Sequence, residues 1–255
     1  MIEFAGRTDF SEIVSLWHKV FGDSENIVLK YLERFLDRVL VFREGGRILG
    51  MLSLLPISVR EKTGYYVYAV ATAEESRGKG VASKLLEYSK KLCGDEKFLI
   101  LVPASASLFG FYKRFDFSEI NCITKKVLTS EVGASSLPIT PVSSTEILIL
   151  RKEFFESRDF FEWDIDVLDL MHDFGTRFFR IGEKSGFLIC DVFENEINIK
   201  ELCTFDIDTK TALAAVRSYF NVDVYAYTLP KPDSSPSAMV WGAEFKNPYF
   251  NLALD

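Results

Sequence analysis

The sequence predicts an α/β protein of two successive domains, and three observations carry that reading. Helices, three strands, a helix and a strand follow one another in the same order twice along the chain. A stretch rich in small residues and proline, Thr129 to Thr145, separates the two series. In the first series a strand runs through a glycine turn directly into an amphipathic helix. The expected organisation is a first domain over residues 1–128, a linker over 129–145 and a second domain over 146–255. A length of 255 residues suits two domains of about 100 to 150 residues each.

The first series opens with a short strand, Ile2 to Phe4. A helix from Phe10 to Phe21 follows, with Phe10, Ile13, Val14, Trp17 and Phe21 on one face. Asp9 with Glu12 three residues on has the pattern of a capping box. The next helix, Glu25 to Leu36, collects Val28, Tyr31, Leu32 and Phe35, and Ser24 is placed to cap it. Three antiparallel strands come next, Val39 to Arg43, Ile48 to Val59 and Tyr65 to Thr72, joined by separators of hairpin composition at Glu44–Arg47 and Glu61–Gly64. The helix from Gly80 to Leu92 sets Val81, Leu85, Tyr88 and Leu92 on one stripe, with Lys84, Glu87, Lys90 and Lys91 off it. Phe98 to Val102 is a buried strand, Ser105 to Arg114 a helix, and Phe117 to Val127 a strand.

The second series has helices at Ile147–Phe155 and Ile165–Phe174, then strands Arg177–Ile181, Gly186–Phe193 and Glu196–Thr204. A helix at Thr209–Phe220 and a strand at Val222–Tyr227 complete it. Its counterpart of the glycine turn, Thr204 to Lys210, has no glycine and carries Asp206 and Asp208. The pattern is that of a duplicated domain whose halves have diverged.

Composition narrows the function. Apolar residues make up 48% of the chain and charged residues 26%, with 23 Phe, enough for a sizeable core. Met1 to Phe10 has neither the basic start nor the apolar run of a signal peptide. No stretch reaches the roughly 18 apolar residues that span a bilayer, so a cytoplasmic protein without membrane partners is expected. Cys93, Cys122, Cys190 and Cys203 lie far apart, which suits reduced thiols rather than a zinc site or a disulfide framework. His18 and His172 have no partner at ligand spacing, and no metal is expected. The aromatic run Phe154, Phe155, Phe160, Phe161 and Trp163 reads as core or interface. A net charge of -7 disfavours nucleic acid as a partner, because phosphate-backbone affinity comes from clustered Lys and Arg.

The chemistry concentrates in Arg77-Gly78-Lys79-Gly80. The first N–H groups of a helix have no acceptor within it, and the macrodipole favours negative charge at that end. Glycine allows positive φ and close approach of a diphosphate, while Arg77 and Lys79 add charge. A P-loop requires Gly-Lys-Ser/Thr, but Gly80 is followed by Val81. A dinucleotide fingerprint requires a third glycine or alanine where Ser83 stands, and an acidic residue closing the next strand where Leu101-Val102-Pro103 stands.

The segment resembles the acetyl-CoA loop of the GCN5-related N-acetyltransferases (GNAT), Arg/Gln-x-x-Gly-x-Gly/Ala, with Glu75 where Arg or Gln is usual. Downstream, Phe111-Tyr112-Lys113-Arg114-Phe115-Asp116-Phe117 resembles the family's Phe-Tyr-x-x-x-Gly-Phe segment, with Asp116 in place of the glycine. The resemblance implies two tandem GNAT-like domains, each a twisted mixed sheet flanked by helices, the first splayed open between its fourth and fifth strands. It implies acetyl-CoA as co-substrate, held by Val70, Ala71 and Thr72 of the strand, by Arg77, Gly78, Lys79, Gly80, Val81 and Ala82 of the loop, and by Ser105. The Val70 N–H would face the thioester oxygen, and Tyr112 would protonate the departing thiolate. A small-molecule or peptide amine would attack the thioester directly.

Tandem chains with one working cofactor loop are similar in plan to the Eis type of aminoglycoside acetyltransferase, here without a third domain. There the terminal carboxylate serves as base, a use open to Asp255. Two other readings stay open. One is a non-catalytic acyl-CoA-binding or regulatory module; the other is transfer of another acyl or aminoacyl group, with the acidic charge opposing tRNA.

Overall fold

The computed structural model describes residues 1–129, 133, 135–193, 196–221, 224–230, 236–246 and 248–254, with the backbone alone for 121–129 and 224–230. The elements run β1 (Ile2–Phe4), α1 (Phe10–Phe21), α2 (Glu25–Phe35), β2 (Val39–Glu44), β3 (Arg47–Val59), β4 (Lys62–Thr72), α3 (Val81–Cys93), β5 (Phe98–Leu101) and α4 (Ala106–Lys113). They continue with β6 (Ser118–Thr129), β7 (Ile139–Pro141), α5 (Ser144–Phe155), β8 (Glu162–Trp163), α6 (Ile165–Asp173), β9 (Thr176–Ile181) and β10 (Gly186–Val192). Last come β11 (Glu196–Thr204), α7 (Thr209–Phe220), β12 (Val224–Pro230) and β13 (Pro236–Trp241).

Two compact units result, each a mixed sheet flanked by helices. The first comprises Met1–Glu119 with Ala238–Glu244. Its sheet runs β1-β2-β3-β4-β5-β13, antiparallel throughout except for the parallel β4–β5 pair bridged by α3. Both faces of β3 are covered, so the strand is an almost unbroken apolar run rather than an alternating one. On one face Val81, Leu85 and Leu86 of α3 cluster with Leu40, Leu52, Val67 and Leu99. On the other, buried Trp17 of α1 meets Tyr68 of β4 edge-on and buried Tyr31 of α2 meets it tilted, with ring centroids 5.7 and 5.6 Å away.

The second unit comprises Ile120–Ser237 with Phe245–Asp255. Its sheet runs β7-β9-β10-β11-β12-β6, antiparallel except for the parallel β11–β12 pair, which α7 bridges. Leu188, Cys190, Ile197 and Ile199 meet Ala212, Leu213 and Val216 of α7. Arg151 of α5 and Glu201 of β11 are fully buried and joined by two hydrogen bonds, Nε to Oε2 at 2.8 Å and Nη2 to Oε1 at 3.0 Å. The aromatic run is core, as expected of it: Phe155, Phe161 and Trp163 are buried, and the segment 249–252 ties in through the Trp163 indole N–H donating to the Leu252 carbonyl at 2.7 Å.

Several sequence expectations change. The strand Ala238–Trp241 lies far beyond residue 128, yet it pairs with β5 through Met239↔Leu101, Val240↔Ile100 and Trp241↔Leu99. The first unit is completed by residues near the end of the chain, and the division in sequence falls at Glu119 rather than 128. Within the expected linker, Ile139–Pro141 is strand β7 on the edge of the second sheet, paired with β9, and Ser144 already starts α5. The capping box at Asp9 does not form, because both carboxylates have tertiary partners. Asp9 accepts from Gly6 N–H at 3.0 Å and from Arg43 Nη2 at 2.7 Å, and Glu12 accepts from Ile48 N–H at 2.7 Å. Burial alone raises the Asp9 carboxyl, but Gly6 and Arg43 outweigh it and hold its pKa below the usual value. Ser24 does cap α2, accepting from Ile27 N–H at 3.4 Å. On α3, Leu92 is exposed and Lys90 is buried, its ammonium 3.5 Å from Glu87 and from Asp116 and 5.4 Å from the Trp241 ring.

Candidate active site

The site grows from a defect in β4. Opposite Met51 and Ser53 the partners are Ala71 and Tyr68, so β4 carries one extra residue there. Ala69 takes up the bulge at φ +51°, in the left-handed region. The parallel register with β5 ends at Tyr66↔Ile100, while β4 continues to Thr72. Over Val67–Thr72 the strand has no β5 partner among the described residues, and the sheet opens between its fourth and fifth strands. Val70 and Thr72 are half-buried along this edge, whereas the Ala71 side chain is buried.

Beyond Thr72 a 3-10 turn, Glu74–Ser76, leads into the glycine turn. Gly78 and Gly80 adopt φ +75° and +77°, and Gly80 is the N-cap of α3 without any side-chain cap. Arg77 N–H donates to Glu74 O at 3.2 Å, Lys79 N–H to Ser76 O at 3.3 Å and Lys84 N–H to Gly80 O at 3.0 Å. Among the described residues, the N–H groups of Gly78, Gly80, Val81, Ala82 and Ser83 donate to no protein group. They leave the helix end with uncompensated donors, the kind of end that attracts anions, and Arg77 and Lys79 are exposed beside it. The Val81 side chain is buried against β3, so only its amide is available to a ligand.

The family described as Acetyltransferase (GNAT) domain matches residues 2–120, the stretch that contains the bulge, the opening and the turn. Residues 2–120, a little under half of the chain, thus match a GNAT domain. The fold is also that of solved structures. A GCN5-related N-acetyltransferase from Anabaena variabilis ATCC 29413 aligns at TM-score 0.73 and 14% identity, over 94% of this chain and 72% of that one. One from Kribbella flavida aligns at 0.71 and 14%, over 94% and 70%. Eis1 from Mycobacterium abscessus aligns at 0.66 and 11%, over 94% and 73%. No curated protein sequence matches the chain.

In the GNAT domain Tyr112, on α4, is buried between Phe111 and Phe117, with centroids 5.1 and 5.9 Å away. Burial pushes its phenol up to about 12. Its ring belongs to the apolar cluster that also holds Val81 and Leu101, and Val70 packs against that cluster. Ser105 is the N-cap residue of α4; its exposed hydroxyl lies 2.9 Å from that of Ser107. Asp116 takes φ +58°, the conformation a glycine at that position would adopt freely. Glu75 is exposed, with Oε1 3.0 Å from Arg47 Nη2. Asp255 lies outside the described residues.

The equivalent end in the second unit is closed. β11 also carries an extra residue, between the partners of Ile189 and Cys190, just past its last parallel pair Ile199↔Tyr227. The Asn251 side-chain amide donates to the carbonyl of Lys200 within that bulge. At the start of α7, Asp208 accepts from Thr211 N–H at 2.9 Å and from the Thr211 hydroxyl at 2.7 Å. A carboxylate therefore already satisfies this helix end. The aspartate is legible in the sequence; the bulge at Ala69 leaves no signal there, since alanine does not announce a left-handed backbone. Among the described residues no group of three or more His, Cys, Asp or Glu side chains is placed to hold a metal ion, and no helix is long and apolar enough to cross a membrane.

Proposed function

We propose that the chain is an acetyl-CoA-dependent N-acetyltransferase with one cofactor site, in the GNAT domain, acting on a primary amine of a small molecule or peptide. The observation that carries the reading is the free set of amides at Gly78 and Gly80–Ser83, opening a helix beside Arg77 and Lys79. Five unpaired donors converging on one turn suit a diphosphate. Acetyl-CoA supplies the activated acetyl group; the residues of this chain hold and polarise it. In this reading Val70, Ala71 and Thr72 offer main-chain groups along the unpaired edge of β4, and Ser105 and Ala82 complete the cofactor's surroundings. The Val70 N–H, next to the bulge, is the donor for charge developing on the thioester oxygen.

Tyr112 supplies the hydrogen bond to the leaving sulfur. A phenol at about 12 stays protonated across the neutral range. It is also a weaker acid than a thiol near 8.5, so it stabilises the departing thiolate chiefly as a donor and yields its proton only late. Attack by the neutral amine needs no covalent enzyme intermediate.

We read the second unit as a diverged copy of the first. The same sequence of antiparallel and parallel pairs, the bulge before the helix and the position of α7 support this, and because Asp208 already occupies its helix end we assign it no cofactor. Titrating acetyl-CoA by calorimetry, then following release of free CoA across a panel of amines, tests the whole proposal. Binding at one site per chain and amine-dependent release are expected; no binding at about millimolar ligand, where only ~4 kcal/mol of affinity is needed, would sink it.

A further inference from the structure

Two carboxylates, Glu74 and Glu75, immediately precede a turn whose amides and cations are arranged for an anion. Left alone they would oppose it. Beside the turn lies a cavity of ≈ 420 Å³ whose lining includes Glu12, Lys19, Arg47, Glu74, Glu75 and Arg77. Glu12 is committed elsewhere: Oε1 accepts from Ile48 N–H at 2.7 Å and Oε2 is 3.7 Å from Arg43. Arg47 turns instead to Glu75, with Nη2 3.0 Å from Oε1. The residue's own backbone N–H, and after it Arg47 and Lys19, draw the Glu75 carboxyl toward its ionised form.

This pair is exposed, at 70% for Arg47 and 55% for Glu75, and exposed ion pairs add little to stability. Its consequence is electrostatic and local. Without Arg47, the cations left to Glu75 in the cavity are Lys19 and Arg77. A carboxylate on Arg77 cancels a charge that the turn offers to its ligand. We infer that Arg47 is a positioning residue for cofactor binding, holding Glu75 off Arg77 and so keeping the turn attractive to a diphosphate. The inference rests on the acetyl-CoA reading of the turn.

The test is a cycle of four proteins titrated calorimetrically with acetyl-CoA at low ionic strength: wild type, Arg47→Ala, Glu75→Gln and the double variant. Arg47→Ala is expected to raise Kd about 3- to 10-fold, Arg47→Lys to restore most of that, and about 1 M salt, with a Debye length near 3 Å, to erase it. In the Glu75→Gln background the loss of Arg47 should change Kd less than about twofold. Equal melting temperatures across the set are expected, since neither side chain is buried. An Arg47→Ala penalty that is the same in both backgrounds would overturn the inference, because Arg47 would then act on the cofactor directly. So would an unchanged Kd for Arg47→Ala. Failure of the wild type to bind at all is a separate result, which removes the proposed function and this inference with it.

Discussion

Val81, the first residue of α3, lies so close to Gly50 of β3 that a Cβ on Gly50 would sit 2.4 Å from Val81 Cγ1 and 3.0 Å from the Ala71 carbonyl. The start of the helix is seated on a bare patch of strand, which sets the height of its free amides over the sheet. Gly50→Ala is expected to destabilise the protein by about 1–3 kcal/mol through overpacking and to weaken acetyl-CoA binding by shifting the first turn. Urea unfolding and calorimetry check both effects, and an unchanged midpoint would contradict the packing argument.

Gly80→Asp puts a carboxylate into the turn, as Asp208 does for α7. Aspartate tolerates the left-handed region, so the fold should persist at a cost of about 1 kcal/mol. The added charge should weaken acetyl-CoA at least about tenfold. Circular dichroism melting separates this from unfolding; retained affinity would argue that the ligand's charge does not rest on this turn.

Tyr112→Phe keeps the ring contacts to Phe111 and Phe117 and removes only the hydroxyl. A fall in kcat of about 10²-fold is expected, with Kd for acetyl-CoA within about twofold. Because Tyr112 titrates near 12, it should impose no falling limb on the rate below about pH 11. Wild-type turnover in the phenylalanine variant would leave the hydroxyl without a role in the reaction.

Alkaline conditions should unfold the protein earlier than neutral ones. Burial pushes Cys93 up to about 11 and Tyr112 up to about 12, and also raises Tyr31 and Tyr249. Unfolded, these groups release protons at about 8.5 for a thiol and about 10 for a phenol. The folded state therefore holds protons more tightly, so this stabilisation is complete below about pH 8.5 and drains away as pH rises through the folded values. Urea midpoints at about pH 8 and pH 10.5 should fall in that order, and equal midpoints would mean these groups are not shielded.

Local patterns carried much of the architecture. Apolar spacing located α1, α2 and α3, hairpin separators located β2, β3 and β4, and Gly78 with Gly80 located the turn. What escaped the reading is non-local or chemically silent. The pairing of Met239 with Leu101 joins residues that no short window contains. Lys90 is buried because Glu87, Asp116 and Trp241 surround its ammonium, contacts absent from helical periodicity alone. Asp9 and Glu12 had the spacing of a cap but found Arg43 and Ile48 first.

The pairing of Trp241 with Leu99 also bears on how the protein is made. On the ribosome, β5 emerges long before its antiparallel neighbour and must wait with a bare hydrogen-bonding flank while the second unit is synthesised. A nascent chain halted before residue 236 would lack that strand and present β5 as a sticky rim. Expression of the first 128 residues alone should accordingly yield aggregate, and co-expression with the remainder should rescue it.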